Sequence, residues 1–124
     1  MKYEYYYAED NNKKSNCIIR TFCKLFNKEY DAVKQELINI AKELNYETYA
    51  EIEVFEKYLN DKNYIKLEHK EEQIKNLKLE NGKYAVFCYD KKDYYHMLAI
   101  INNTVYDKKE DNLNLYTITI YKEQ

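Results

Sequence analysis

The sequence predicts an α+β domain in which N-terminal helices, one of them starting at a cysteine, pack on a C-terminal antiparallel sheet. Apolar residues recur at helical spacing through the first half of the chain, and near residue 64 the spacing changes to that of strands. Asn81-Gly82 and Asn102-Asn103 then stand between strand-like runs as turn signals. At 124 residues the chain is expected to be one domain, 1–124, long enough to bury most of a single core without disulfides or a structural metal.

Taken in order, Lys2 to Tyr7 has the β-propensity of a strand and runs into a polar loop, Glu9 to Lys14. Ser15 and Asn16 are good N-cap residues, and Ile18, Ile19, Phe22 and Phe26 follow at helical spacing, which predicts a helix from Cys17 to about Phe26. Cys23 lies on the apolar side of that helix, where packing is its expected job. Asp31 is the expected cap of a second helix, Ala32 to Leu44, whose Val33, Leu37, Ile40, Ala41 and Leu44 follow the 3.6-residue period, with Asn45 as its stop. A third helix is expected from Tyr49 to Leu59, ended by the turn Asn60-Asp61-Lys62-Asn63. Tyr64 to Leu67 reads as a short strand, and the charged stretch Glu68 to Leu79, with a surface His69, carries no clear period. Lys83 to Tyr89, Tyr94 to Ile101, Thr104 to Asp107 and Leu113 to Tyr121 read as successive strands. Met97 to Ile101 is apolar at every position, the pattern of a central strand covered on both faces.

Composition excludes several function classes. A formal net charge of -2 with 34% charged residues gives no basic field of the kind that draws nucleic acid. Three cysteines at irregular spacing, Cys17, Cys23 and Cys88, make neither a disulfide framework nor a zinc motif, and no Cys or His pair has ligand spacing, so no metal or cofactor is called for. The N-terminus has no basic segment followed by an apolar run, and no apolar run reaches membrane-spanning length, which points to a soluble cytoplasmic protein. Sixteen tyrosines beside one glycine and no proline accompany many lysines, asparagines and isoleucines. All these frequent residues have A/T-rich codons, a simpler reason than a tyrosine-lined binding surface.

The candidate chemistry starts at Cys17. A thiol in the first turn of a helix meets the positive end of the helix dipole and free backbone N–H groups, which favour thiolate. Arg20, the only arginine, falls on the same side of the helix, either as a planar fork for a site or as a surface residue. His96 opens the most apolar strand. If Asn102-Asn103 is a two-residue hairpin turn, Ile101 pairs with Thr104 and Asp107 lies opposite Leu98. His96 and Asp107 then project from one face as diagonal neighbours, about 7–8 Å apart at Cβ, a gap an imidazole and a carboxylate can bridge. A register slip of one residue would put Asp107 on the other face. Cys17, His96 and Asp107 together outline a Cys-His-Asp triad for attack on a carbonyl. The oxyanion would be met by the Cys17 backbone N–H and by an amide from the preceding loop, with Asn11, Asn12 and Asn16 as candidates.

The order of these parts resembles the papain-like cysteine peptidase superfamily. More narrowly, Asn16-Cys17-Ile18-Ile19-Arg20, then Lys28-Glu29-Tyr30-Asp31, then His96 through Asn102-Asn103 to Tyr106-Asp107 is similar to small phage- and bacteria-encoded papain-like proteins. The resemblance spans about residues 15 to 107 and implies Cys17 as nucleophile, His96 as general base and acid, and Asp107 as the residue that orients it. Asn11 stands where the papain pattern has its oxyanion glutamine, and Tyr95 where a glycine is common before the histidine. The expected function is a cysteine hydrolase, peptidase or amidase, acting on a peptide or protein substrate. The alternative is a catalytically silent papain-like module that binds a partner protein, and transfer of the acyl group to an amine or thiol would use the same triad.

Overall fold

The computed structural model describes residues 1–8 and 16–124. Six strands form one mixed sheet: β1 (Lys2–Tyr5), β2 (Tyr64–Leu67), β3 (Lys83–Tyr89), β4 (Tyr95–Ile101), β5 (Thr104–Asp107) and β6 (Tyr116–Glu123). Among the described residues three helices, α1 (Cys17–Phe26), α2 (Tyr30–Glu43) and α3 (Ile52–Asp61), lie between β1 and β2 in the chain. The α+β expectation holds. Among the described residues, no helix is long and apolar enough to cross a membrane.

The strands stand in the order β1-β5-β4-β3-β6-β2. The strands of the C-terminal half pair antiparallel, as the sequence predicts, but the sheet as a whole is mixed, because the N-terminal strand adds to β5 in parallel, Lys2 beside Thr104 and Tyr5 beside Asp107. This strand is also held by its side chain, since the Tyr3 hydroxyl donates to the Asp107 carbonyl at 2.8 Å.

Both faces of the sheet are covered, which is why Met97 to Ile101 is apolar at every position. On one face Ala85, Met97, Ala99 and Tyr121 pack against Ile19, Phe22, Leu25, Val33, Leu37, Phe55 and Leu59 of the helices. Stacked Phe22 and Tyr58 rings, 4.6 Å apart, join α1 to α3 within this layer. On the other face Val86, Leu98, Ile100, Val105 and Ile120 meet Ile74, Leu77 and Leu115. The charged stretch after β2 therefore supplies a cover, through apolar residues too widely spaced to show a period.

Several boundaries move for local reasons. The first helix begins at Cys17, as predicted, because the Asn16 side chain accepts the N–H groups of Ile18 and Ile19 at 2.8 and 3.2 Å. The second starts at Tyr30, earlier than predicted. Tyr30 is buried, Glu29 occupies the cap position without a side-chain bond, and Asp31 lies in the first turn, where the dipole favours it. The third begins later than Tyr49 because the Thr48 hydroxyl accepts the Ala50 N–H in a separate turn. The last strand loses its predicted start to a 3-10 turn at Glu110–Asn114 and extends further at its other end. With one glycine in the chain, asparagine takes its place at chain reversals. Asn27, Asn45 and Asn63 follow the three helices in the left-handed region, and Asn102 and Asn103 adopt φ of 49° and 62°.

Candidate active site

The hairpin sets the geometry of the site. With both turn residues left-handed, the link between β4 and β5 is a tight reversal whose twist suits paired strands. Ile101 pairs with Thr104, Ile100 with Val105 and Ala99 with Tyr106, the register the sequence predicts. The ladder ends there. His96 and Asp107 extend it from the same face, and His96 Nε2 lies 2.7 Å from Asp107 Oδ2.

The N-terminus of α1 meets β4 where that ladder has stopped. The Cys17 sulfur lies within reach of the Met97 backbone N–H and the His96 ring. Nε2 of His96 is turned toward Asp107, which leaves Nδ1 as the nitrogen for the thiol. The Tyr94 hydroxyl also comes within 3.3 Å of Nδ1, and its ring stacks on the imidazole with centroids 5.7 Å apart. The structure thus brings together Cys17, His96 and Asp107, all three predicted site residues.

Asp107 is the hub of a buried network. It is fully buried, and Arg20 is only 4% exposed. Oδ1 accepts from the Arg20 guanidinium at 2.9 Å and from the Lys108 backbone N–H at 2.8 Å. Oδ2 accepts from His96 and from the Asn112 amide, the latter at 2.8 Å. Every neighbour is a donor, so the carboxylate is ionised and the Nε2 proton of His96 is directed at it. Arg20 is therefore a buried partner of the candidate triad, not a surface residue. Asn112 sits on the 3-10 turn, and nothing in its polar surroundings in the sequence marks it.

The electrostatics follow from these contacts. Burial works against the Cys17 thiolate, but the hydrogen bond and charge of His96, with the Met97 N–H and Arg20, outweigh it and lower the thiol below its usual 9.0. Burial likewise works against the imidazolium, yet hydrogen bonds to Asp107 and Cys17 and their charges raise His96 from 6.5 to about 9. Asp107 is lowered from 3.8 because His96, Arg20 and Asn112 outweigh its own burial. The other thiols go the opposite way. Burial raises Cys23 to about 11, in keeping with its expected packing role, and burial with the nearby Asp107 and Cys17 charges raises Cys88 well above 9.0.

Above the thiol lies a cleft of about 300 Å³ lined by Cys17, Arg20, Tyr94, Tyr95, His96, Lys108, Lys109 and Asn112. Tyr95 does not fill it. Its ring turns to stack on Phe87 and Tyr89, 5.9 Å from each. Of the oxyanion candidates, Asn11 and Asn12 lie outside the described residues, and the Asn16 side-chain Oδ1 caps α1. The Asn16 N–H is taken by the Tyr30 hydroxyl at 3.2 Å. With the Ile18 and Ile19 N–H groups taken by the cap, the Cys17 N–H is the first-turn donor with no acceptor among the described residues.

Compared with protein-family models, curated proteins and solved structures, the chain has no significant match.

Proposed function

We propose that this chain is a papain-like cysteine hydrolase that cleaves a peptide or other amide bond. The observation that carries the reading is the single thiol with a lowered pKa, Cys17, at a helix N-terminus beside an imidazole that is itself hydrogen-bonded to a buried carboxylate. That combination favours a thiolate-imidazolium pair near neutral pH.

In the reaction, the Cys17 thiolate attacks the substrate carbonyl carbon, and the oxyanion is met by the Cys17 N–H. The tetrahedral intermediate collapses as His96 Nδ1 gives its proton to the leaving amine, which departs and leaves a thioester on Cys17. Water then enters the cleft, His96 removes one of its protons, and the hydroxide adds to the thioester carbonyl. Collapse of this second intermediate expels the thiolate, which regains its pairing with the imidazolium, and releases the carboxylic acid. Throughout, Asp107 holds the ring by Nε2 and supports its positive charge, while Arg20 and Asn112 hold Asp107.

The test is labelling by an electrophilic cysteine-peptidase probe together with iodoacetamide alkylation across pH. Wild type should be labelled at Cys17, with an alkylation midpoint below 9 and Cys23 and Cys88 unreactive, and Cys17→Ala should not be labelled. If Cys17 alkylates no faster than the other two thiols, no activated nucleophile exists and the hydrolase reading is lost.

A further inference from the structure

We propose that the cleft selects substrates carrying a carboxylate next to the bond to be cleaved, bound by Lys108 and Lys109. This rests on the hydrolase reading above and names its substrate class. The charges of the inner site cancel in pairs, Arg20 against Asp107 and the imidazolium against the thiolate. What remains in the lining is two lysines and, among the described residues, no carboxylate. That is a local excess of positive charge on a chain whose net charge is -2.

The two lysines also differ from the six that are ion-paired among the described residues. Lys28, Lys57, Lys62, Lys66, Lys91 and Lys122 each have a carboxylate within 4.0 Å, whereas Lys108 and Lys109 have none among the described residues. Glu110 and Asp111 follow them in sequence but are exposed and lie outside the cleft lining. Lys108 is anchored, since its backbone N–H is bound to Asp107 and its ammonium lies over the Tyr7 ring, 5.1 Å from the centroid. An ammonium one residue from the triad carboxylate, with no acid of its own among the described residues, belongs to the lining of the same cleft as the thiol. A carboxylate held there sits within a residue or so of the scissile amide, either as an acidic side chain or as a chain terminus.

The experiment has a turnover arm and a binding arm. Fluorogenic peptides that differ only in Glu, Gln or Lys beside the scissile bond are given to wild type, with a second series differing only in a free or amidated C-terminus at that place. The Glu peptide should exceed the Gln peptide in kcat/KM on the order of tenfold, with Lys lowest, and the gap should shrink in about 0.5 M salt. The series in which charge matters identifies the source of the carboxylate. K108M/K109M should remove the preference and K108E/K109E should reverse it. In the second arm the same peptides, dye-labelled, are titrated against Cys17→Ala by fluorescence anisotropy, which needs no turnover. Cleavage without charge preference, or with preference for Lys, overturns the inference and spares the hydrolase reading. Charge-selective binding without any cleavage by wild type does the reverse, and no selective binding in either series, together with no cleavage, ends both.

Discussion

At the scale of single residues, the unusual commitment is Arg20. A guanidinium buried on α1 and paired at 2.9 Å with a carboxylate from the end of β5 joins the helix that starts at Cys17 to the strand whose Asp107 holds His96. Such a pair adds little net stability compared with well-packed apolar residues, but removing one partner strands the other charge. Arg20→Met should therefore lower the unfolding free energy by about 3 kcal/mol in urea titrations. Because Arg20 also helps hold the Cys17 pKa down, the alkylation midpoint of Cys17 should move to higher pH in the same variant. A lysine there keeps the charge but loses the fork, so Arg20→Lys should fall between the two. An Arg20→Met protein with unchanged stability and unchanged Cys17 reactivity would show that the pair is idle.

At the scale of elements, the β4–β5 hairpin carries the site. Its two left-handed asparagines fix a register, and that register alone sets whether His96 and Asp107 share a face. Valine at Asn103 meets a steric penalty at positive φ, roughly 1–2 kcal/mol. Asn103→Val should lower stability by about that amount and reduce the thiolate fraction at Cys17, while Asn103→Gly, which suits the turn, should leave both near wild type. Equal effects of Val and Gly would mean that the turn does not govern the site. The same hairpin explains why the residues of the candidate triad were legible in the sequence. Asn16 and Asn102-Asn103 act through neighbours close in the chain, and local rules reach from them to Cys17, His96 and Asp107. What was not legible depends on distant pairing. Nothing near Lys2 signals that β1 will lie parallel to β5, and no local feature sends Asn112 back to Asp107, because its neighbours read as the approach to a strand. Ile74 and Leu77 cover the far face of the sheet from within a charged run whose spacing shows no period.

At the scale of the whole molecule, the coupled pair gives folding a pH dependence that one substitution should unmask. His96 is raised from 6.5 to about 9 on folding, so its contribution is fully present below 6.5 and is lost as pH rises through about 9. Cys17 is lowered from 9.0, so its contribution is present above 9.0 and is lost as pH falls through its folded value. Between the folded value of Cys17 and its reference of 9.0 the two slopes oppose each other. There the folded chain holds a proton on His96 that the unfolded chain has released, while Cys17 binds its proton less in the folded chain than in the unfolded one. From about pH 6.5 to 8.5 wild-type stability should therefore fall less steeply than the His96 contribution alone would make it. Higher pH is less useful, because the raised Cys23 and Cys88 thiols reduce stability there in any variant. Cys17→Ser removes the opposing slope and leaves His96 raised by Asp107. Its unfolding free energy should fall as pH rises across that interval, by at most about 1.4 kcal/mol per pH unit for one proton. Urea midpoints of both proteins at a series of pH values measure the difference directly, and no catalysis is needed. If the serine variant runs parallel to wild type, Cys17 and His96 are not an ion pair in the folded chain, and the activated thiol on which the proposed chemistry depends is absent.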